Sequence, residues 1–169
     1  ASASDSTVII WNANNGQKYR TITRRSGNVL SVSFSPDENK LVVGSDDGTI
    51  HVYNVNTGEE CYTPLVKHKK GVRFVTFTSD GKIIFSASKD KSICIWDADN
   101  GNLLRVVPDA HDDEILYLAF SSDNKTMATA SADKVIKIWD VNLTERTCSV
   151  RRDLRDHKDW VRSVSFNPI

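Results

Sequence analysis

The chain has 169 residues, with 22 basic and 22 acidic side chains and 39% apolar residues. This length and composition are typical of a globular protein that buries one hydrophobic core. A formal net charge of zero argues against a nucleic-acid-binding protein that relies on collective attraction to phosphates.

The cysteines and the apolar segments indicate where the protein works. Cys61, Cys94 and Cys148 are odd in number and have no close spacing, so we expect free thiols in a reducing, cytoplasmic compartment. No apolar run approaches the roughly 20 residues that span a membrane, and the polar start is not typical of a signal peptide. The sequence therefore predicts an intracellular protein without membrane contact.

Aromatic residues recur at a nearly constant interval along the chain. Trp11, Tyr53, Trp96 and Trp139 are separated by 42, 43 and 43 residues, and each follows an aspartate by six positions. Intervals of this length are typical of a repeated unit of four strands. In chain order, the units are predicted at about 1–24, 25–67, 68–110 and 111–156, with 157–169 left as a further first strand.

Each unit divides into strands separated by polar turns. An apolar run ending in Phe opens the unit, a turn with Pro, Asp, Gly or Asn follows, and the third strand is rich in β-branched and aromatic residues. The fourth strands are more polar and should form outer edges. First strands are predicted at 29–34, 72–77, 115–120 and 161–166, second strands at 41–45, 83–88 and 126–131, third strands at 49–54, 92–97 and 135–140, and fourth strands at 59–66 and 102–107.

Other positions recur together with the aromatic residues. Trp-Asp occurs at 96–97 and 139–140, the weaker forms Trp-Asn and Tyr-Asn occur at 11–12 and 53–54, and a histidine precedes three of the first strands by four residues. These correlated features resemble those of the WD-repeat family over essentially the whole chain. The resemblance implies an all-β fold, a β-propeller built of four-stranded antiparallel blades, with three continuous blades and one split between the termini.

In that family, a histidine, a serine or threonine, the turn aspartate and the tryptophan form a hydrogen-bonded chain across each blade. The resemblance implies the same structural network here, in which the carboxylate orients the imidazole and the hydroxyl accepts a hydrogen bond from the indole. A hydroxyl committed in this way is no nucleophile, so we expect no enzyme. The expected members are His68, Ser88, Asp90 and Trp96 in one blade, His111, Ser131, Asp133 and Trp139 in another, and His157, Asp5 and Trp11 in the split blade.

The sequence favours no metal site and no cofactor. The four histidines are dispersed over different units, and the chain has no Gly-rich phosphate loop.

The second unit departs from the pattern, because Arg25 stands where histidine is expected and Tyr53 replaces tryptophan. Either Arg25 pairs with Asp47, or this blade is degenerate and is tolerated by its neighbours.

The two ends of the chain together make up most of one blade. Four blades are few for this family, whose rings usually have about seven or eight, and an open half-ring would expose two apolar faces and two strand edges. One interpretation is a homodimer that forms an eight-bladed ring, in which the C-terminal strand of each chain completes the N-terminal blade of the other. The alternatives are a closed four-bladed monomer and a fragment of a longer chain.

The resemblance implies a non-enzymatic scaffold that binds protein or peptide partners on one propeller face. The alternative function is a self-assembling half-propeller, excised or engineered, with no partner beyond itself. Loops that lead into first strands and turns between second and third strands should share the binding face, where Trp160 either anchors a partner or packs over the propeller axis or the blade join. The residues placed on this face are Trp160, Arg162, Arg73, Lys70, Lys89, Lys91, Asp113, Glu114, Asp46 and Lys134.

Overall fold

The computed structural model, which describes residues 1–24 and 27–167, consists of four antiparallel β-sheets that follow one another along the chain. Within each sheet the strands pair in sequence order, as short turns between neighbouring strands favour. The predicted all-β fold of antiparallel sheets is confirmed, with four strands in sheets 2, 3 and 4 and three in sheet 1. In the described ranges, no helix has the length and hydropathy needed to cross a membrane.

The described residues form fifteen strands. Sheet 1 contains β1 (Ser2–Ser4), β2 (Thr7–Trp11) and β3 (Lys18–Thr23). Sheet 2 contains β4 (Val29–Phe34), β5 (Lys40–Ser45), β6 (Thr49–Asn54) and β7 (Leu65–Val66). Sheet 3 contains β8 (Val72–Phe77), β9 (Ile83–Ser88), β10 (Ile93–Asp97) and β11 (Leu103–Val107). Sheet 4 contains β12 (Ile115–Phe120), β13 (Thr126–Ser131), β14 (Ile136–Asn142) and β15 (Thr147–Leu154).

The hydrophobic core lies between successive sheets. Because side chains alternate along a strand, each third strand presents apolar residues to both of its neighbouring sheets. In sheets 3 and 4 the aromatic residue of the repeat faces the preceding sheet: Trp96 packs in one cluster with Val52 of sheet 2, and Trp139 packs in one cluster with Ile95 of sheet 3. Tyr53 occupies the same position between sheets 1 and 2. The aromatic residues therefore recur along the sequence at the same interval as the contacts between successive sheets.

Trp11 has the same repeat position on sheet 1, yet its side chain is 46% exposed. Among the described residues, no sheet precedes sheet 1, and sheet 1 has three strands instead of four. The predicted strand at 161–166 does not form in the single chain. This segment instead leaves along sheet 4, where the Val161 amide donates to the Ser131 carbonyl oxygen at 3.0 Å, so its backbone does not pair with β1.

The fourth strand predicted at 59–66 is also corrected. Only Leu65–Val66 forms a strand there, and Glu60 makes an isolated bridge to Tyr53. Pro64 lies between these two contacts, and it has no N–H to donate to a strand ladder. The outer edge of sheet 2 is therefore interrupted.

Candidate functional site

A continuous hydrogen-bonded chain crosses the buried part of sheet 3. The indole Nε1 of Trp96 donates to Ser86 Oγ at 2.9 Å, and Ser86 Oγ lies 2.8 Å from His68 Nε2. His68 Nδ1 lies 3.1 Å from an Asp90 carboxylate oxygen, which also accepts from the Lys69 amide at 2.8 Å. This geometry assigns a proton to Nδ1, because Ser86 accepts from the indole and donates to Nε2.

Sheet 4 repeats the arrangement with a threonine. Trp139 Nε1 donates to Thr129 Oγ1 at 2.8 Å, and Thr129 Oγ1 lies 2.7 Å from His111 Nε2. His111 Nδ1 lies 2.8 Å from Asp133, which also accepts from the Asp112 amide at 3.0 Å. In both sheets one buried hydroxyl links an indole to an imidazole.

The hydroxyls in these chains are not the two that the sequence favoured, so the choice of Ser88 and Ser131 is wrong. Ser88 Oγ donates to the Gly71 carbonyl oxygen at 3.0 Å, and Ser131 Oγ donates to the Asp113 carbonyl oxygen at 3.3 Å. Each lies two residues beyond the bridging hydroxyl on the same strand, which is about 6.6 Å along the strand. Both serine hydroxyls therefore form hydrogen bonds with the loop before the first strand and do not contact the tryptophan.

The electrostatics of the chain suit a structural role. Burial lowers the pKa of His111, although the neighbouring Asp133 carboxylate partly opposes this shift. Burial opposes ionisation of Asp133, but amide donors from Val135 and Asp112 and the contact with His111 outweigh it and lower the carboxyl pKa. Hydrogen bonds lower the pKa of Asp90 in the same way against its burial. Near neutral pH, each aspartate is ionised and holds its imidazole in one tautomer.

The split network predicted for sheet 1 is present only in part. Trp11 Nε1 donates to Ser2 Oγ at 2.8 Å, which repeats the indole-to-hydroxyl contact of sheets 3 and 4. His157 and Asp5 are both exposed. Within the described residues, no hydrogen bond joins either of them to Trp11.

In sheet 2 the place of the histidine is taken by Arg24. Its Nη2 lies 3.7 Å from Asp47 and 3.2 Å from Thr49 Oγ1, just as His68 meets the corresponding Asp90 and Ser92. Arg25, which the sequence favoured for this role, lies outside the described residues. Sequence reasoning missed Arg24 because a one-residue shift before the strand cannot be detected from the spacing of the other repeats.

The loops predicted to share one face lie together at one end of the sheets. The Lys89 amide donates to the Gly71 carbonyl oxygen at 2.9 Å, and Lys91 Nζ donates to the Asp112 carbonyl oxygen at 2.6 Å. The Asp46 carboxylate accepts from the Asn28 amide at 2.7 Å. These bonds join the turns after second strands to the loops before first strands.

A cavity of about 480 Å³ lies at the first strands of sheets 2, 3 and 4, and two of the predicted face residues line it. Arg73 and Arg162 line it, Arg73 Nη2 contacts Glu114 at 3.4 Å, and the guanidinium of Arg162 lies 5.5 Å from the ring centre of Trp160. Lys70, Lys89, Lys91, Lys134, Asp46 and Asp113 do not line this cavity. Its other walls were not predicted: they are Leu30, Ser31, Val32, Phe74, Leu116 and Tyr117.

The repeat could have identified part of this wall. Leu30, Arg73 and Leu116 are each the second residue of a first strand, and the rings of Phe74 and Tyr117 lie 4.3 Å apart. Arg73 stands where sheets 2 and 4 have leucine. This replacement marks the place where the wall of the cavity becomes charged. Across residues 1–24 and 27–167, no group of three metal-ligating side chains forms a metal site.

Comparison with known proteins agrees with this geometry. Eukaryotic translation initiation factor 3 subunit I of Aspergillus niger is 37% identical over 57 residues, 34% of this chain and 17% of that protein. The guanine nucleotide-binding protein subunit beta of Arabidopsis thaliana is 37% identical over 57 residues, 33% of this chain and 15% of that protein. Protein HIR1 of Phaeosphaeria nodorum is 32% identical over 53 residues, 31% of this chain and 5% of that protein.

These alignments span less than a fifth of each relative's length. The family model described as "WD domain, G-beta repeat" matches residues 16–54, 59–97 and 101–140. The matched repeats cover more than half of the sequence and contain Tyr53, Trp96 and Trp139. The chain therefore belongs to the WD-repeat family.

Proposed function

We propose that the chain is a non-enzymatic scaffold that binds a protein or peptide partner at the end of the sheets where Trp160 lies. WD-repeat proteins are typically interaction scaffolds and generally non-catalytic. The hydroxyls beside the two buried histidines support this proposal, because Ser86 and Thr129 are already bonded to an indole and are not free to attack a substrate.

The observation that carries the proposal is the cavity lined by Arg73 and Arg162. The cavity thus places two guanidinium groups beside the apolar side chains of Leu30 and Leu116. This surface is complementary to a peptide in which an acidic residue is next to an apolar one. Trp160 is half exposed next to Arg162 and offers an aromatic anchor at the rim. We infer that the partner presents an acidic, extended peptide to this cavity.

Replacement of both Arg73 and Arg162 by glutamine is expected to abolish partner capture. The double variant keeps the cavity's shape but loses both cations, so a carboxylate would no longer be bound there. Capture by the immobilised chain, followed by mass spectrometry and titration of the captured protein, measures the effect. Arg146→Gln is the matched control, because Arg146 lies in the turn between β14 and β15 at the opposite end of the sheets.

The same partners should bind the wild type and Arg146→Gln, and their binding should weaken as the salt concentration rises. A double variant that captures the same proteins with the same affinity would contradict this function.

We also propose that the chain forms a homodimer through the open faces of sheets 1 and 4. The residues that pack against the next sheet are Ile50 and Val52 in sheet 2 and Ile93 and Ile95 in sheet 3. Ile136 and Ile138 follow at the same interval of 43 residues on sheet 4, on the face opposite Trp139. In sheets 2 and 3, the corresponding face packs against the aromatic residue of the next sheet, Trp96 or Trp139. Trp11 is the equivalent aromatic residue of sheet 1, so the two open faces are complementary.

The C-terminal segment supports the same arrangement. Val161 is buried and its amide is bonded to Ser131 of sheet 4, which supports the proposal that residues 161–166 form the first strand of a following sheet in the dimer. A second copy placed there would bring its β1 edge beside this segment. His157 of one chain could then complete the Trp11–Ser2 contact of the other, as His68 does for Trp96.

Light scattering on the purified chain should give a mass of twice the 18.9 kDa of one chain. Trp11→Ala should shift the mass toward the monomer, because the interface would lose the indole that the second copy covers. Leu103→Ala is the control, since Leu103 is a comparably exposed residue on the outer strand of sheet 3. A single-chain mass for the wild type at micromolar concentrations would refute the homodimer.

We propose that the protein works in the reducing environment of the cytoplasm. Cys61, Cys94 and Cys148 are all free thiols, which supports this compartment. Burial raises the pKa of Cys94 to about 12, so this thiol is an inert part of the core.

A further inference from the structure

A second cavity, of about 500 Å³, lies between β3 of sheet 1 and β6 of sheet 2. Its position follows from the substitutions in the second repeat. Val43 stands 43 residues before Ser86, where the bridging hydroxyl is expected, and Tyr53 stands where the other sheets have tryptophan. Sheet 2 therefore has neither the hydroxyl nor the indole of the repeat. The cavity is lined by Thr21, Ile22, Thr23, Arg24, His51, Tyr53, Gly58 and Glu60.

The guanidinium of Arg24 is the cation of this cavity, and its hydrogen-bonding capacity is only partly used. The side chain is 2% exposed. Nη2 bonds to Thr49 Oγ1, but Nε and Nη1 have no hydrogen-bond partner among the described residues. Leaving donors of a buried charged group unpaired is unfavourable, so these two N–H groups call for oxygen acceptors.

The two nearest carboxylates are engaged by other donors. Glu60 lies 2.7 Å from His51 Nδ1. Asp47 accepts from the Thr49 amide at 3.0 Å and from the Thr49 hydroxyl at 2.6 Å, and its closest approach to Arg24 is 3.7 Å at Nη2. Neither carboxylate therefore serves Nε or Nη1 of Arg24.

The remaining polar groups of the cavity are mostly able to donate. Burial and the nearby Glu60 carboxylate raise the pKa of Tyr53 to about 12, so its hydroxyl stays protonated. Thr21 and Thr23 add two hydroxyls on the exposed side of the cavity. Its volume is within the range of cavities that bind small ligands.

We propose that this cavity binds a small oxyanion group, a carboxylate or a phosphate, whose oxygens accept from Nε and Nη1 of Arg24. The hydroxyls of Thr21 and Thr23 are the further donors. Glu60 limits the affinity, because its carboxylate lies on the same cavity wall as the bound anion. This site is separate from the cavity at Arg73 and Arg162, with which it shares no residue.

The test is a titration of the full chain with inorganic phosphate and, separately, with acetate, at an ionic strength held constant with sodium chloride. Saturable shifts of the backbone amide signals of Thr21 to Arg24 and of Tyr53 are expected with at least one of the two anions. A response to phosphate alone assigns a phosphate ligand, and a response to acetate assigns a carboxylate. Chloride alone should not produce these shifts.

Three variants make the test specific to Arg24. Arg24→Met keeps an apolar stem and should abolish the response. Glu60→Gln retains Arg24, removes one like charge from the cavity and should bind the same anion several-fold more tightly. Arg105→Met, on the exposed part of β11, should bind like the wild type.

Glu60→Gln keeps the proposal testable even where Arg24→Met fails to fold, since it leaves the core residue in place. Unchanged amide signals in both the wild type and Glu60→Gln would overturn the proposal. Equal anion binding by the wild type and a folded Arg24→Met would overturn it as well.

Discussion

Trp96→Ala is expected to lower the free energy of unfolding by about 3–5 kcal/mol. The indole is 2% exposed and packs between sheets 2 and 3, so its removal leaves a large cavity. The substitution also deprives the buried Ser86 hydroxyl of its donor. Chemical denaturation followed by circular dichroism measures the loss.

Trp11→Ala is the matched control, because Trp11 holds the same repeat position on a face that no sheet formed by residues 1–24 and 27–167 covers. For the isolated chain this variant should lose less than about 1 kcal/mol. Equal losses for the two variants would contradict the assignment of the core to the contacts between successive sheets.

Asp133→Ala is expected to cost about 3 kcal/mol, because it removes one partner of a buried, hydrogen-bonded pair. The Asp133 side chain is 7% exposed and accepts from His111, Asp112 and Val135. Without it, the buried imidazole and two amide groups lose their acceptor. Asp140→Ala is the control, since Asp140 lies at the surface and pairs with the exposed Arg151; it should change stability little.

The pH dependence of unfolding provides a second measurement on the same network. The pKa of Asp133 is lowered in the folded state, so its contribution is complete above the ordinary aspartate range near pH 4 and is lost as the pH falls below it. The pKa of His111 is also lowered, so the unfolded chain takes up its proton first, and stability decreases as the pH falls below about 6.5.

We therefore expect the wild type to lose stability in two ranges, below about pH 6.5 and again below about pH 4. The second loss should be smaller in Asp133→Ala, although Asp90 still contributes to it. An unchanged slope below pH 4 in this variant would show that the Asp133 carboxylate is not held by the network.

The sheet architecture was accessible from the sequence because it depends on local and periodic features. Alternating apolar residues, turn residues and the spacing of Tyr53, Trp96 and Trp139 predict the strands, and the described strands fall close to these positions. The interruption of the outer strand of sheet 2 was missed, although Pro64 carries a visible signal for it.

The partners of individual side chains depended on packing that no local pattern encodes. Ser86 and Ser88 are chemically identical and lie on the same face of β9, and only the strand register decides which of them meets the indole. Arg24 becomes a buried cation because sheet 2 lacks the hydroxyl and indole of its neighbours, a property of the space between two sheets. Periodicity thus determines which elements form and in what order, whereas the fit of one sheet against the next decides which polar groups meet and which stay without an acceptor.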